Sequence, residues 1–287
     1  MLVLLTDDQG YGDFSCHGNP VLKTPAFDKI HKESVRFTDF HSAPMCTPTS
    51  GQLLSGLDAL HNRATSVTAG RALLRRDLPT MADIFRSGGY TTGLFGKWHL
   101  GDNYPYRPMD RGFDEAKYHL GFGIGSAPEF DNDYFDGRYR HNGQRKQFSG
   151  YCTDFWFSEA ITWMDKQKQA GKPFLCYLPT NVPHGPAWVD ARYSDRYSGV
   201  KGPAAFFGMI ANLDENVARL DAFLDKSRLR DNTIVIVMTD NGGTAGVNVF
   251  NAGMRGRKTQ LYQGGHRVPC FVRWPAGRLR PAADVHT

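Results

Sequence analysis

The stretch Leu2-Val3-Leu4-Leu5-Thr6-Asp7-Asp8-Gln9-Gly10 decides the fold class. Its first residues form a short continuous apolar run, the pattern of a parallel strand buried on both faces. The run closes on two adjacent carboxylates, which are costly at a buried strand end unless water or a cation compensates their charge. In open α/β sheets, ligands bind at the carboxyl ends of the strands. An acidic turn fits the same residues, and alone they leave both readings open. A second run, Ile234-Val235-Ile236-Val237-Met238, ends in the same way, in Asp240-Asn241-Gly242-Gly243. Two oxygen-rich strand ends make one shared cation a better account than two unrelated turns. Asp7, Asp8, Asp240 and Asn241 offer only oxygen, which suits calcium, or failing that magnesium, rather than zinc.

Outward from these ends, strand and helix signals alternate. Thr24-Pro25 opens a helix by capping and proline rules, and 35–40 alternates as a strand. Thr80 caps a helix over 81–86 that Gly88-Gly89 stops. The strand 90–95 runs into Gly96-Lys97-Trp98-His99-Leu100-Gly101. In an extended segment Lys97 and His99 project to one face and could reach one anion. Residues 102–150 show little periodicity and are expected as long loops that shape substrate choice. A helix over 154–170, a strand over 173–178 and a locally stiff Pro183-His184-Gly185-Pro186 follow; taken alone, that histidine reads more readily as structural than as catalytic. Phe206, Ile210, Leu213, Val217, Leu220 and Leu224 mark an amphipathic helix whose stripe is core. A last strand covers 268–273. With no internal repeat and no linker, 1–287 is expected as one doubly wound α/β domain.

Composition narrows the function. Of 287 residues, 40% are apolar and 22% charged, enough for a sizeable core. The net charge of +5 favours anionic ligands but lacks the clustered order of a nucleic-acid binder. Five scattered cysteines without a Cys-x-x-Cys argue against a disulfide framework and a thiolate zinc site. No run approaches a membrane span, and Met1 to Leu5 is too short for a signal peptide.

One stretch remains: Ala43-Pro44-Met45-Cys46-Thr47-Pro48-Thr49-Ser50-Gly51-Gln52-Leu53-Leu54-Ser55-Gly56. Pro48 suits a first helical turn and Gly56 a stop, so Cys46 falls at or just before a helix N-terminus, where backbone N–H groups favour an anion. A buried cysteine before an ordinary helix fits the same pattern. The longer stretch resembles the sulfatase signature, Cys-x-Pro-Ser/Thr-Arg then x-x-Leu-Leu-Ser/Thr-Gly, in which the cysteine is oxidised to formylglycine. Ser50 stands at the arginine position. The likeness extends to Asp-Asp-Gln-Gly-Tyr-Gly-Asp at 7–13, Gly-Lys-Trp-His-Leu-Gly at 96–101, Pro-His-Gly-Pro at 183–186 and Asp-Asn-Gly-Gly at 240–243. It continues through Arg-Gly-x-Lys at 255–258 to Gly-Gly-x-Arg-Val-Pro at 264–269.

The resemblance implies an alkaline-phosphatase-like fold, with a mostly parallel central sheet, helices on both faces and the family's C-terminal subdomain missing. It implies a single catalytic domain, incomplete at both ends. It implies a sulfuric ester hydrolase acting on an aryl or carbohydrate sulfate, with Asp7, Asp8, Asp240 and Asn241 holding calcium beside the oxidised Cys46. Lys97 and Lys258 would hold the sulfate and His184 would protonate the leaving alcohol. His99 would take the proton that collapses the sulfated intermediate. The partners implied are a sulfated small molecule or glycan and a formylglycine-generating enzyme, in a periplasmic or secreted setting. Ser50 would impair maturation. A non-catalytic binding protein of this family, and a phosphodiesterase or phosphonate hydrolase of the same superfamily, are the alternatives. Asp240 is followed by Asn241 rather than histidine, which argues against a two-zinc member.

Overall fold

The computed structural model describes residues 1–125, 130–279 and 283–286. In chain order its strands are β1 (Leu2–Thr6), β2 (Val35–Phe37), β3 (Thr91–Lys97), β4 (Glu115–His119) and β5 (Arg138–His141). They continue with β6 (Gln144–Gln147), β7 (Phe174–Pro179), β8 (Val235–Thr239), β9 (Cys270–Arg273) and β10 (Asp284–Val285). The helices are α1 (Pro25–Lys32), α2 (Cys46–Ser55), α3 (Ala59–Asn62), α4 (Met81–Ser87), α5 (Cys152–Gln169), α6 (Ala191–Ser194), α7 (Ala204–Lys226) and α8 (Gln263–His266). They belong to two compact units. One comprises Leu2–Pro44 with Val182–Thr287, the other Met45–Asn181 with Met1.

In the first unit the strand order is β10-β2-β9-β8-β1. Strand β1 runs parallel to β8 in the register Leu2↔Val235 to Thr6↔Thr239, so the two acidic strand ends finish level. All five β1 residues are buried, as a continuous apolar run requires. Strand β9 is antiparallel to both β8 and β2. On α7 the residues Phe206, Ile210, Leu213, Val217, Leu220 and Leu224 are all buried, which bears out the stripe. Helix α1 starts at Pro25 as expected, but Thr24 does not cap it: its hydroxyl is engaged with Ser15. Asp214 of α7 accepts from the N–H groups of Ala26 and Phe27 at 3.2 and 2.9 Å instead. Burial raises the Asp214 carboxyl to about 6.

In the second unit the order is β7-β3-β4-β5-β6, with β3 parallel to both neighbours and β5 and β6 antiparallel. Gly93 in β3 is needed because a Cβ there would come within 2.9 Å of the Trp163 ring on α5. Thr80 caps α4 in a full capping box with Asp83. The expectation of long loops over 102–150 is corrected: β4, β5 and β6 lie in that span. Strand β6, Gln-Arg-Lys-Gln, is exposed along its whole length and so carries no alternation to read. Among the described residues no helix is long and apolar enough to cross a membrane. The α/β class read from the sequence holds, with a mixed sheet whose inner pairings are parallel.

Candidate active site

In the first unit, the level ends of β1 and β8 gather the acidic residues. Asp7, Asp8 and Asp240 are each less than 5% exposed, and their carboxylate oxygens lie within 4.8 Å of one another. Asp8 adopts a left-handed backbone (φ 68°), unusual without glycine, and its N–H donates to Asp240 Oδ1 at 3.0 Å. The Asp240 N–H donates in turn to the Thr6 carbonyl at 3.0 Å. Asn241 Nδ2 donates to Asp8 Oδ1 at 2.9 Å and to the Gly242 carbonyl at 3.0 Å. Asn241 Oδ1 is buried and accepts no hydrogen bond. A buried amide oxygen without a donor is costly, and the other end of this amide is bonded to Asp8, one of three clustered carboxylates. A hard divalent cation answers both costs, so these residues fit one.

Two basic side chains of this unit face the cluster. Lys258 Nζ lies 2.5 Å from Asp8 Oδ1, and the Lys258 N–H donates to the Gly243 carbonyl at 3.1 Å. His184 Nε2 lies 3.9 Å from Asp8 Oδ2. His184 Nδ1 meets the Gly185 carbonyl at 2.7 Å; a carbonyl only accepts, so Nδ1 carries hydrogen and Nε2 is the nitrogen that exchanges a proton.

Glycines allow this approach. A Cβ on Gly10 would lie 2.7 Å from Gly243 Cα, and one on Gly242 only 1.8 Å from the Gly264 carbonyl oxygen. Asp13 braces the first of these contacts: its Oδ2 accepts from the Gly10 N–H at 2.9 Å, and Gln9 Nε2 donates to its carbonyl at 3.1 Å. Full burial pushes the Asp13 carboxyl up to about 7, with the Gly10 bond pulling the other way. The sequence reading assigned Asp13 no role. Its signal was available: it closes a run of Gly10, Gly12 and Asp13, where a short carboxylate turns back onto the loop's own N–H.

In the second unit, Cys46 is the first residue of α2 and 2% exposed, behind an extended Met45. Gly56 ends the helix in left-handed geometry (φ 69°). Ser50 is buried within the helix, and Gly51 packs where a Cβ would come within 2.8 Å of Ala64 Cβ. Lys97 ends β3 and is buried. The segment does not stay extended through His99, whose φ is 54°. The extended geometry assumed for Lys97 and His99 is therefore corrected: the backbone is left-handed at His99. His99 Nε2 donates to the Val67 carbonyl at 3.0 Å, which leaves Nδ1 as the basic nitrogen. Its own carbonyl accepts from Thr47 Oγ1 at 3.4 Å, a direct tie between His99 and the residue after Cys46. Among the expected site residues, one unit thus brings together Asp7, Asp8, Asp240, Asn241, Lys258 and His184. The other holds Cys46, Lys97 and His99.

Known proteins share this pattern. The family profile described as Sulfatase matches residues 1–286. The N-acetylgalactosamine-6-sulfatase of Canis lupus familiaris is 28% identical across 99% of this chain and 58% of its own length. The chain thus spans less than two thirds of such curated relatives. A solved structure of Ps i-CgsB in complex with k-i-k-neocarrahexaose superposes with a TM-score of 0.89 at 26% identity, covering 99% of this chain and 67% of that one. The phosphonate monoester hydrolase of Agrobacterium radiobacter superposes at 0.70 with 19% identity, over 99% of this chain and 70% of its own, which shows the fold alone.

Proposed function

Because the chain belongs to the sulfatase family, we propose that it hydrolyses the sulfate ester of a carbohydrate or aryl alcohol, using Cys46 after oxidation to formylglycine. The observation that carries this reading is the buried cluster of Asp7, Asp8 and Asp240 together with the buried Asn241 Oδ1 that accepts no hydrogen bond. Those four residues would hold a calcium ion, with magnesium the alternative. When bound, the cation supplies charge that polarises the nucleophile and the sulfate oxygens.

The remaining roles fall to the chain's own residues. Lys258 and Lys97 bind sulfate oxygens. Asp8 fixes the Lys258 ammonium at 2.5 Å, so its position is set before substrate arrives. His184 gives the proton on Nε2 to the leaving alcohol, since Nδ1 is committed to Gly185. His99 accepts, on Nδ1, the hydroxyl proton whose removal releases sulfate, held in that tautomer by Val67. Phosphonate or phosphodiester hydrolysis has only the fold behind it.

Ser50 favours a second reading, a member that binds cation and sulfated ligand without turnover. Serine cannot supply the planar, bidentate cation of the family signature. One experiment separates the two. The full chain is co-expressed with a formylglycine-generating enzyme and the Cys46 peptide is weighed by mass spectrometry. Sulfate release from 4-nitrophenyl sulfate is then measured with calcium and after chelation. An aldehyde at Cys46 with calcium-dependent release supports the hydrolase; an intact thiol with no release leaves the binding protein.

A further inference from the structure

The Met45–Asn181 unit carries two adjoining cavities, of whose lining residues only His99 and Val67 enter the roles above. One, of about 370 Å³, has His99 and Phe122 in its wall. The other, of about 380 Å³, is lined by Tyr118 and Arg140. Both count Asp102, Asn103 and Phe130 among their lining residues, so they are two halves of one groove. Each half falls in the size range of a small-ligand pocket, roughly 300–1,000 Å³, and the pair exceeds what a single sugar ring needs.

The far half is suited to an anion. Arg140 stands on β5, in the region where Arg107 is committed to Asp110 by bonds of 2.8 and 2.9 Å, and Arg138 and Arg145 both pair with Asp131. Arg140 lines the cavity together with Asp102, whose carboxyl burial raises, with the Gly121 N–H and then Arg140 pulling the other way. The half-buried rings of Phe122 and Phe130 give flat apolar surface for sugar faces.

We propose, resting on the sulfate-ester reading, that this groove receives a sulfated oligosaccharide: the sugar to be desulfated beside His99, and a second sulfate on a neighbouring sugar at Arg140. The residues of β4 and β5 then set specificity, and a substrate with one sulfate leaves Arg140 without a sulfate to bind.

The test uses the full chain with Cys46→Ala, which cannot turn over, and calorimetric titration with a disulfated disaccharide and its monosulfated counterpart. The disulfated ligand should bind about 10–100-fold more tightly, the range of one charge-assisted contact. Arg140→Ala should abolish that preference and Arg140→Lys restore part of it, with an unchanged melting temperature excluding misfolding. Arg76→Ala, in a separate cavity beside Arg63, should keep the preference. Equal binding of the two sugars, or a preference lost in Arg76→Ala and kept in Arg140→Ala, overturns the proposal. Sulfate release by the wild-type chain is scored separately. A protein that releases sulfate without the preference refutes only the groove. One that shows the preference without release refutes only the catalytic reading.

Discussion

Asn241 Nδ2 donates to Asp8 Oδ1 at 2.9 Å, joining the ends of two strands that lie far apart in sequence. The bond commits the amide's Nδ2, while its Oδ1 is buried without a donor. Replacing Asn241 by alanine deletes that oxygen and the brace on Asp8 together. Calcium affinity, measured by calorimetric titration of the full chain, is expected to fall about 10–100-fold, as for other losses around a metal site. Asn241→Asp keeps an oxygen ligand and should recover much of the affinity. An alanine variant that binds calcium as tightly as wild type would remove Asn241 from the site.

The glycine contacts predict a steep cost for very small changes. Gly10→Ala places a methyl 2.7 Å from Gly243 Cα, and both partners are backbone. Overpacking of this kind costs about 1–3 kcal/mol. Gly242→Ala should cost more, because its Cβ would sit 1.8 Å from the Gly264 carbonyl oxygen with nowhere to move. Urea midpoints should therefore fall in the order wild type, Gly10→Ala, Gly242→Ala. A Gly10→Ala midpoint equal to wild type would show that the two strand-end loops do not meet as described.

Asp13 gives a pH dependence of definite sign. Its folded-state pKa is raised to about 7 from 3.8, because burial penalises the carboxylate. The folded state therefore holds a proton that the unfolded state releases between those values. This contribution to stability is full below pH 3.8 and is lost as pH rises towards 7. The size is of the order of a few kcal/mol. Asp13→Asn keeps a neutral acceptor for the Gly10 N–H and removes the titration. Thermal unfolding between pH 4 and 8 should show a flatter profile in the variant, and an unchanged slope would place the titration elsewhere.

Much of this site was legible in the sequence for local reasons. The runs at β1 and β8 are apolar throughout because both faces are covered, and each stops at carboxylates that no strand interior would carry. Cys46 at a helix start followed from Pro48 and Gly56. What escaped was non-local. Strands β4 to β6 form from pairing partners, and β6 has no apolar face to reveal it. The left-handed His99 and Asp8 are non-glycine residues at positive φ, which local propensity disfavours and a surrounding structure must impose. Asp214 displaced Thr24 as the partner of the α1 N–H groups from 187 residues away along the chain.

Ser50 provides the last prediction. It is buried in α2, one residue before Gly51, which packs against Ala64. An arginine there restores the signature that a maturation enzyme reads and returns a guanidinium four residues after Cys46. Arg63 does not duplicate it on the same helix; it is exposed and lines a cavity with Arg75 and Arg76. Ser50→Arg co-expressed with a formylglycine-generating enzyme is therefore expected to carry more aldehyde at Cys46 than wild type. On matched aldehyde content its turnover should be about 10–100-fold higher, the worth of one charge-assisted bond of roughly 1.5–3 kcal/mol. The two measurements are independent. Equal aldehyde content in both proteins would show that Ser50 does not hinder maturation. Equal turnover at equal aldehyde content would show that the guanidinium contributes nothing to the reaction in this chain.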